Sequence, residues 1–301
     1  MITTRNLTKI YGEKAAVNNL NLEIGNGEVF GFLGPNGAGK STTILMLTGM
    51  IEPTSGSCLI DGIDVTKNPL KAKKITGYLP EDVGFYENLT AEQNLDYVAR
   101  FYGMNPEKRK KRIDFLLELV KLENVTQTLS GYSRGMNQRL GLAQALLNDP
   151  KVVILDEPTA NLDPEGVFQF RKIIHNLSDE GKTILICSHV LSEVKKVCKT
   201  LGILSQGDLV ARGTVEDVEK QLIEKSQNPL KIILETEEPL PEIKHSEIIK
   251  IEVNNNHAII YTKNDIRKNI FDILKKDYKI IDIHLESPPL EELFLNVYRR
   301  E

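Results

Sequence analysis

The sequence predicts a three-layer α/β domain over residues 1 to about 225, followed by a small α+β domain over residues 226–301. Three observations support this division. Short apolar runs alternate with helical patterns through the first region, which is typical of α/β domains. Within that region, residues from about 88 to 147 show almost only helical patterns, so we expect a helical subdomain there. After about residue 225, strand-like runs become frequent.

Six short runs in the first region are apolar or rich in β-branched residues. Strands that are buried on both faces of a sheet have this composition. We therefore predict strands at residues 29–33, 57–60, 75–79, 152–155, 183–187 and 201–204.

The helical subdomain carries recognisable helix starts. Thr90 and Gln93 have the spacing of a capping box, and Pro106 can occupy the first position of a second helix. In that second helix, apolar residues recur at helical spacing at Ile113, Leu116, Leu117 and Val120.

The C-terminal region begins with a linker-like segment at residues 226–229. We expect several strands, a helix over about 265–275 and a last helix opened by Pro288 and Pro289. This order suggests an α+β domain of ferredoxin-like arrangement. Three asparagines at residues 254–256 favour a hairpin turn between two of those strands. The expected strands are residues 231–235, 248–253, 258–261 and 280–285.

The composition disfavours a nucleic-acid partner. The chain has 301 residues, 41% of them hydrophobic and 27% charged, and a formal net charge of -4. Without a global positive field, the basic run at residues 108–112, which follows Glu107, is interpreted as a solvated helix face. We therefore expect no nucleic-acid binding.

The sequence predicts a cytoplasmic protein that reaches a membrane only through a partner. No apolar run approaches the roughly 18 residues of a membrane span, and the N-terminus does not resemble a signal peptide. The three cysteines lack metal-ligand spacing, which favours reduced thiols.

A glycine-rich segment between the strand at 29–33 and a helical run at 42–47 is the strongest local signal. Glycines at these positions let backbone N–H groups approach phosphates closely. The lysine in this pattern reaches the β- and γ-phosphates, and the serine hydroxyl binds Mg²⁺. A chance glycine-rich turn is the alternative, which the strand–helix setting disfavours. The predicted ATP-binding residues are Gly34, Pro35, Asn36, Gly37, Ala38, Gly39, Lys40, Ser41 and Thr42.

An acid pair, Asp156 and Glu157, follows the buried strand at residues 152–155. The carboxyl ends of strands in open α/β sheets are where ligands bind. We expect Asp156 to hold Mg²⁺ and Glu157 to polarise the attacking water. Two acids facing solvent at a strand end are the alternative, which the nearby glycine-rich segment disfavours.

The segment over residues 132–140 completes a resemblance to the ATP-binding subunits of ABC transporters, which covers residues 1 to about 225. That family has a Leu-Ser-Gly-Gly-Gln motif, followed by x-Gln-Arg, at the start of a helix. Either Ser130 or Ser133 can be the motif serine. The Gln-Arg pair lies at the family's spacing from Ser133 and not from Ser130, which favours Ser133. The resemblance implies that Ser133, Arg134 and Gly135 bind ATP held by the opposite protomer.

Other residues take on roles through the same resemblance. It implies that Tyr11 stacks on adenine and that Asp163, at the end of the loop over residues 160–163, acts across the dimer. His189 corresponds to a histidine that contacts the γ-phosphate, and it joins Glu157 and Lys40 as a predicted catalytic residue. Glu81 stands where the family usually has glutamine, and it can also ligate Mg²⁺.

The resemblance implies a P-loop NTPase of the ABC-cassette type: a mixed sheet with a helical subdomain. The chain is expected to hydrolyse ATP with Mg²⁺, to dimerise with itself or a related cassette, and to drive a separately encoded integral membrane permease from the cytoplasmic face of the membrane. The motif over residues 132–136, Glu81 and the C-terminal tail resemble drug- and antibiotic-exporter cassettes. An importer cassette and a soluble regulatory ATPase are the alternatives.

Overall fold

The computed structural model describes residues 1–160, 162–225, 230–275, 277–286, 290 and 292–294. The chain forms two compact units, Met1–Val215 and Glu216–Glu301. The expected boundary at about residue 225 therefore falls at the end of helix Val215–Lys225 rather than at its start.

The secondary structure of the described residues follows the chain in this order. The strands are β1 (Ile2–Tyr11), β2 (Lys14–Ile24), β3 (Val29–Leu33), β4 (Ser55–Ile60), β5 (Ile63–Asp64), β6 (Thr76–Leu79), β7 (Val152–Asp156), β8 (Thr183–Ser188), β9 (Thr200–Ser205), β10 (Asp208–Thr214), β11 (Leu230–Thr236), β12 (Ile248–Asn254), β13 (His257–Thr262) and β14 (Ile280–Glu286). The helices are α1 (Lys40–Leu47), α2 (Pro69–Ile75), α3 (Ala91–Phe101), α4 (Pro106–Leu119), α5 (Arg134–Ala145), α6 (Pro164–Asp179), α7 (Leu191–Val194), α8 (Val215–Lys225) and α9 (Arg267–Leu274).

A six-stranded sheet forms the centre of the first unit. Its strand order is β10-β9-β3-β8-β7-β6, and every neighbouring pair is parallel except β10 with β9. Every residue of β3, β7 and β8 is buried, as the apolar runs predict. Because these strands are parallel, their carboxyl ends meet at one edge of the sheet, and the segments that follow them are brought together there.

A second, antiparallel sheet of order β2-β1-β4-β5 packs in the same hydrophobic core. Strands β1, β2, β5 and β10 were not predicted from the sequence. The predicted strand at 57–60 was not distinguished from those of the central sheet, although it belongs to this second sheet. Strands β1 and β2 mix buried and exposed positions with register shifts, so their sequences lack a continuous apolar run.

The helical subdomain contains α3, α4, a 3₁₀ turn at Leu129–Gly131 and α5. The predicted capping box is present: Thr90 accepts from the backbone of Gln93, and the Gln93 side chain accepts in return. Pro106 occupies the first turn of α4, as expected. The apolar residues predicted to face the core, from Ile113 to Val120, are all buried.

The second unit contains an antiparallel sheet of order β12-β13-β11-β14. Helix α9 connects β13 to β14, and one face of the sheet packs on a hydrophobic core that includes Ile232, Ile260 and Ile270. A ferredoxin-like arrangement places a helix after its first strand as well, but residues 237–247 between β11 and β12 contain none. The predicted helix start at Pro288 and Pro289 lies outside the described residues.

No helix in the described part of the chain combines the length and the apolar character needed to cross a membrane.

Candidate functional site

The glycine-rich loop lies between the end of β3 and the start of α1, as predicted. Gly37 and Gly39 have positive φ angles of 80° and 105°, which side chains rarely adopt. A Cβ at Gly39 would lie 2.3 Å from the carbonyl oxygen of Ala16, and one at Gly34 would lie 2.4 Å from that of Leu204. The backbone at both positions packs too closely for any side chain.

Lys40 lies across this loop rather than in solvent. Its side chain is buried, and its Nζ donates hydrogen bonds to the carbonyl oxygens of Gly34, at 2.7 Å, and Pro35, at 3.0 Å. The ammonium group is therefore enclosed by the backbone that would surround a phosphate. Ser41 is exposed beside it, and Thr42 is half-buried.

The acid pair lies at the carboxyl end of β7, and both side chains are buried. Burial, together with the carboxylates of Glu157 and Glu81, raises the pKa of Asp156 to about 6. Lys40 and a hydrogen bond from Ser41 act in the opposite direction. These contacts connect Asp156 electrostatically to both the glycine-rich loop and the exposed Glu81 that follows β6.

Glu157 adopts a left-handed backbone conformation, with φ of 46°. Such a conformation costs a residue other than glycine about 1–2 kcal/mol. Tertiary hydrogen bonds hold it in place: the Glu157 N–H donates to Cys187 O at 2.9 Å, and Gln138 Nε2 donates to Glu157 O at 3.4 Å. The strain therefore persists because β8 and α5 both hold the backbone of Glu157.

The carboxylate of Glu157 has a separate partner on each oxygen. Ser188 Oγ donates to Oε2 at 3.2 Å, and His189 Nδ1 lies 2.9 Å from Oε1. The His189 side chain is 53% exposed, whereas that of Glu157 is 10% exposed. The arrangement orients a buried carboxylate toward an imidazole that remains open to solvent.

The oxygen groups near Asp156 fit a hard cation such as Mg²⁺. The Ser41 hydroxyl and the carboxylates of Asp156 and Glu81 are oxygen donors of the kind that Mg²⁺ prefers. The pKa of Asp156 is raised first by burial and then by the neighbouring carboxylates of Glu157 and Glu81, so a cation bound here would meet negative charge. Among the described residues, no group of three or more His, Cys, Asp or Glu is arranged to hold a metal alone. A Mg²⁺ site usually combines one or two carboxylates with phosphate oxygens.

The residues predicted to act across a dimer lie together, away from the loop. Ser133 caps α5 by accepting from the Met136 N–H at 3.2 Å, and Asp163 caps α6 by accepting from the Gly166 N–H at 2.8 Å. Ser133, Arg134, Gly135 and Asp163 line one cavity of about 580 Å³. Residues 34–42, all described, do not line it.

Three positions from the sequence analysis remain: Tyr11, the loop over residues 160–163 and the alternative serine, Ser130. Tyr11, at the end of β1, is 51% exposed, and Lys9 Nζ lies 5.3 Å from its ring centroid. Of the loop over residues 160–163, Asn161 lies outside the described residues. The alternative motif serine, Ser130, lies in the 3₁₀ turn and not at the start of a helix.

Three residues around this site, Ser188, Gln138 and Arg139, were not predicted from the sequence to have a role of their own. Ser188 directly precedes His189 and faces Glu157, a contact that only the fold can create. Arg139 donates to the carbonyl oxygens of Val120 and Lys121, at 3.1 and 3.2 Å, and so satisfies the end of α4. The two residues used to choose Ser133 therefore have different partners: Gln138 bonds to Glu157, and Arg139 bonds to the end of α4.

The parallel sheet, the glycine-rich loop before α1 and the acid pair at the end of β7 define a P-loop nucleoside triphosphatase.

Comparisons with known proteins place the chain within that class. Residues 17–160 match the ABC transporter family. The chain is 44% identical over 223 residues to the bacitracin transport ATP-binding protein BcrA of Bacillus licheniformis, covering 73% of this chain and 72% of that protein. It is 30% identical over 307 residues to the linearmycin resistance ATP-binding protein LnrL of Bacillus subtilis (strain 168), covering 100% of this chain and 99% of that protein.

Solved structures that are similar to this chain belong to the same family as these relatives. The ATP-binding subunit of an ABC transporter has a TM-score of 0.68 and 30% identity, covering 73% of this chain and 92% of that one. The ATP-binding cassette MJ0796, solved as a dimer bound to ADP and Pi, has a TM-score of 0.66 and 27% identity, covering 71% of this chain and 99% of that one. This chain belongs to the ABC transporter ATP-binding proteins, and it is an ATPase.

Proposed function

We propose that this chain is the ATP-hydrolysing subunit of an ABC exporter for drug- or antibiotic-like cargo, acting on a separately encoded permease. The similarity to the bacitracin transport and linearmycin resistance proteins supports this class of cargo. The hydrogen-bonded carboxylate of Glu157 beside the phosphate loop is the observation that supports ATP hydrolysis. The chain works at the cytoplasmic face of the membrane, bound to the permease.

ATP binds with its phosphates against the loop over residues 34–41. Backbone N–H groups at the start of α1 face the phosphates, and a helix N-terminus favours negative charge. Lys40 exchanges its bonds to the carbonyl oxygens of Gly34 and Pro35 for bonds to phosphate oxygens. Thr42 follows Ser41 in the first turn of α1, and Tyr11 stacks on the adenine.

Glu157 is the general base. It orients the attacking water and accepts its proton, while Ser188 and His189 hold its two oxygens. The side chain of His189 is exposed enough to contact the γ-phosphate as well, and Lys40 balances the charge that develops there. A base in this role contributes a factor of about 10²–10⁴ in rate.

Ser41, Asp156 and Glu81 would hold Mg²⁺ together with the β- and γ-phosphates. Bound there, Mg²⁺ supplies electrostatic stabilisation of the transferring phosphoryl group. The concentration of negative charge around Asp156 supports this assignment.

A second cassette completes each ATP site. Ser133, Arg134, Gly135 and Asp163 lie on one cavity to which the phosphate loop does not contribute, so they are available to a nucleotide held by another protomer. The start of α5 offers backbone N–H groups and the Arg134 side chain to the γ-phosphate. Two copies, or this chain and a related cassette, thereby enclose two ATP molecules.

Hydrolysis and coupling are tested by comparing the wild-type chain with one variant, Glu157→Gln. Membranes containing the neighbouring gene's permease are expected to raise the ATPase rate of the wild-type chain, and cells producing both proteins are expected to tolerate more bacitracin. Glu157→Gln should abolish both effects. Stimulated ATPase activity together with uptake of a solute would indicate an importer. Activity that is indifferent to every membrane protein would favour a regulatory ATPase.

A further inference from the structure

One face of the C-terminal sheet is open. Alternate residues of β11, such as Ile232 and Leu234, point into the hydrophobic core, so the residues between them point to the opposite face. None of the twelve residues on that face is buried, and eight of them are exposed. We call this set the open sheet face: Lys231, Ile233, Glu235, Lys250, Glu252, Asn254, His257, Ile259, Tyr261, Asp282, His284 and Glu286.

Strand register arranges the open sheet face in three rows, each read in the order β12, β13, β11, β14. The first row is Lys250, Tyr261, Lys231 and Glu286. The second row is Glu252, Ile259, Ile233 and His284. The third row is Asn254, His257, Glu235 and Asp282.

Each row is complementary in charge to the same row of a second copy when that row runs in the opposite order. A two-fold axis parallel to the strands, midway between β13 and β11, places β12 of one copy on β14 of another and β13 on β11. The two isoleucines then meet at the centre, and oppositely charged or hydrogen-bonding groups meet around them. The facing pairs are Lys250 with Glu286, Tyr261 with Lys231, Glu252 with His284, Ile259 with Ile233, Asn254 with Asp282 and His257 with Glu235.

The other two-fold axis in the plane of the sheet, perpendicular to the strands, gives a poor match. Glu252 would face itself, and Glu286 would face Asp282. Like charges brought together in this way oppose association. The charge pattern therefore selects the axis parallel to the strands. Both axes keep the strands of the two sheets aligned, as is common when sheets pack face to face.

We propose that the open sheet face packs against the same face of a second copy of this chain, around the axis parallel to the strands. Four strands at about 4.8 Å and three rows at about 6.8 Å give a patch of about 400 Å² per copy. A stable interface normally buries about 800 Å² per partner. The open sheet face is therefore expected to pair only when another contact holds the two copies together. That contact is the ATP-bound cassette dimer, so this inference rests on the proposed function.

Two single-cysteine variants, Glu252→Cys and His284→Cys, test the axis directly. Both positions are exposed on edge strands, and the native Cys58, Cys187 and Cys198 are buried. Each variant is made in a Glu157→Gln background, incubated with ATP and Mg²⁺, and oxidised alone or mixed with the other. Only the mixture should give a disulfide-linked dimer, because two copies of one position would lie about 14 Å apart across the interface.

The other outcomes are informative. Efficient cross-linking of Glu252→Cys with itself would indicate the perpendicular axis and overturn the proposal. A mixture that forms the ATP-dependent dimer by light scattering but does not cross-link would overturn it while leaving the proposed function intact. Cross-linking without an ATP-dependent dimer would support the sheet contact and count against the ATP-dependent cassette dimer. Absence of both would overturn both. Asp272→Cys on α9, exposed away from this face, is the matched control and should not link to Glu252→Cys.

Charge reversal provides an independent measurement. Lys250→Glu and Glu286→Lys should each weaken ATP-dependent dimerisation by about 2- to 20-fold, since each disrupts two surface ion pairs per dimer. The double variant should restore it. Lys250 and Glu286 lie on opposite edges of one sheet, about 14 Å apart. Restoration therefore requires pairing between copies, and its absence would contradict the proposed axis.

Discussion

Replacing Asp156 with asparagine should stabilise the nucleotide-free protein at neutral pH. Asp156 is 4% exposed, and burial with the neighbouring Glu157 and Glu81 raises its pKa from 3.8 to about 6. At about 1.4 kcal/mol per pH unit, this difference corresponds to about 3 kcal/mol. The ionised carboxylate is therefore disfavoured in the folded protein, and an uncharged amide of the same shape removes that cost.

The sign of the effect sets its pH dependence. Because the folded pKa is raised, the stability of the wild-type chain falls as pH rises from about 4 to about 6, and the full cost is present above that range. The gain from Asp156→Asn should thus be at most about 3 kcal/mol at pH 7.5, about half of that at pH 5, and close to zero below pH 4.

Urea unfolding followed by circular dichroism at these pH values measures the difference between the two proteins. Mg²⁺ with ATP should reverse the ranking, because the cation is stabilised by the carboxylate and not by the amide. Asp82→Asn, at an exposed acid that follows the neighbouring strand β6, is the control and should change little. An Asp156→Asn gain that is equal at pH 5 and pH 7.5, or a loss at pH 7.5, would refute the reasoning.

Three further variants address the chemistry and the helical subdomain. Glu157→Gln should lower the ATPase rate by about 10²–10⁴-fold while ATP still binds, measured by phosphate release and nucleotide titration; normal turnover would exclude Glu157 as the base. Lys40→Ala should weaken ATP binding, and unchanged affinity in the same titration would contradict the loop assignment. Thr90→Ala should destabilise the protein by about 1 kcal/mol, since it removes the capping bond to Gln93; equal urea midpoints would show that the cap is dispensable.

Several predictions depended only on neighbouring residues, and the structure confirms them. The glycine-rich loop lies between a buried strand and a helix, Thr90 and Gln93 form their capping box, and Pro106 begins α4. Each needs only the backbone preferences of a short segment, so the pattern is visible in the sequence.

Elements with mixed patterns were harder to predict. Strands β1 and β2 were missed because their buried and exposed residues do not form a continuous run, and their identity as strands comes from pairing with each other. Residues 237–247 contain no helix although the order of the other elements suggests a ferredoxin-like arrangement. For β1 and β2 the partner strand, rather than local preference, decides the conformation.

The amino-acid sequence by itself determined that this chain carries a glycine-rich loop between a strand and a helix, an acid pair after a buried strand and a helix that begins at Ser133. Only the tertiary structure decided that Ser188 and His189 hold the two oxygens of Glu157, and that the strand register builds a self-complementary open sheet face. The reason is physical: a loop or a cap is made by adjacent residues, whereas these contacts join strands far apart in the chain and exist only once sheet order and register are set.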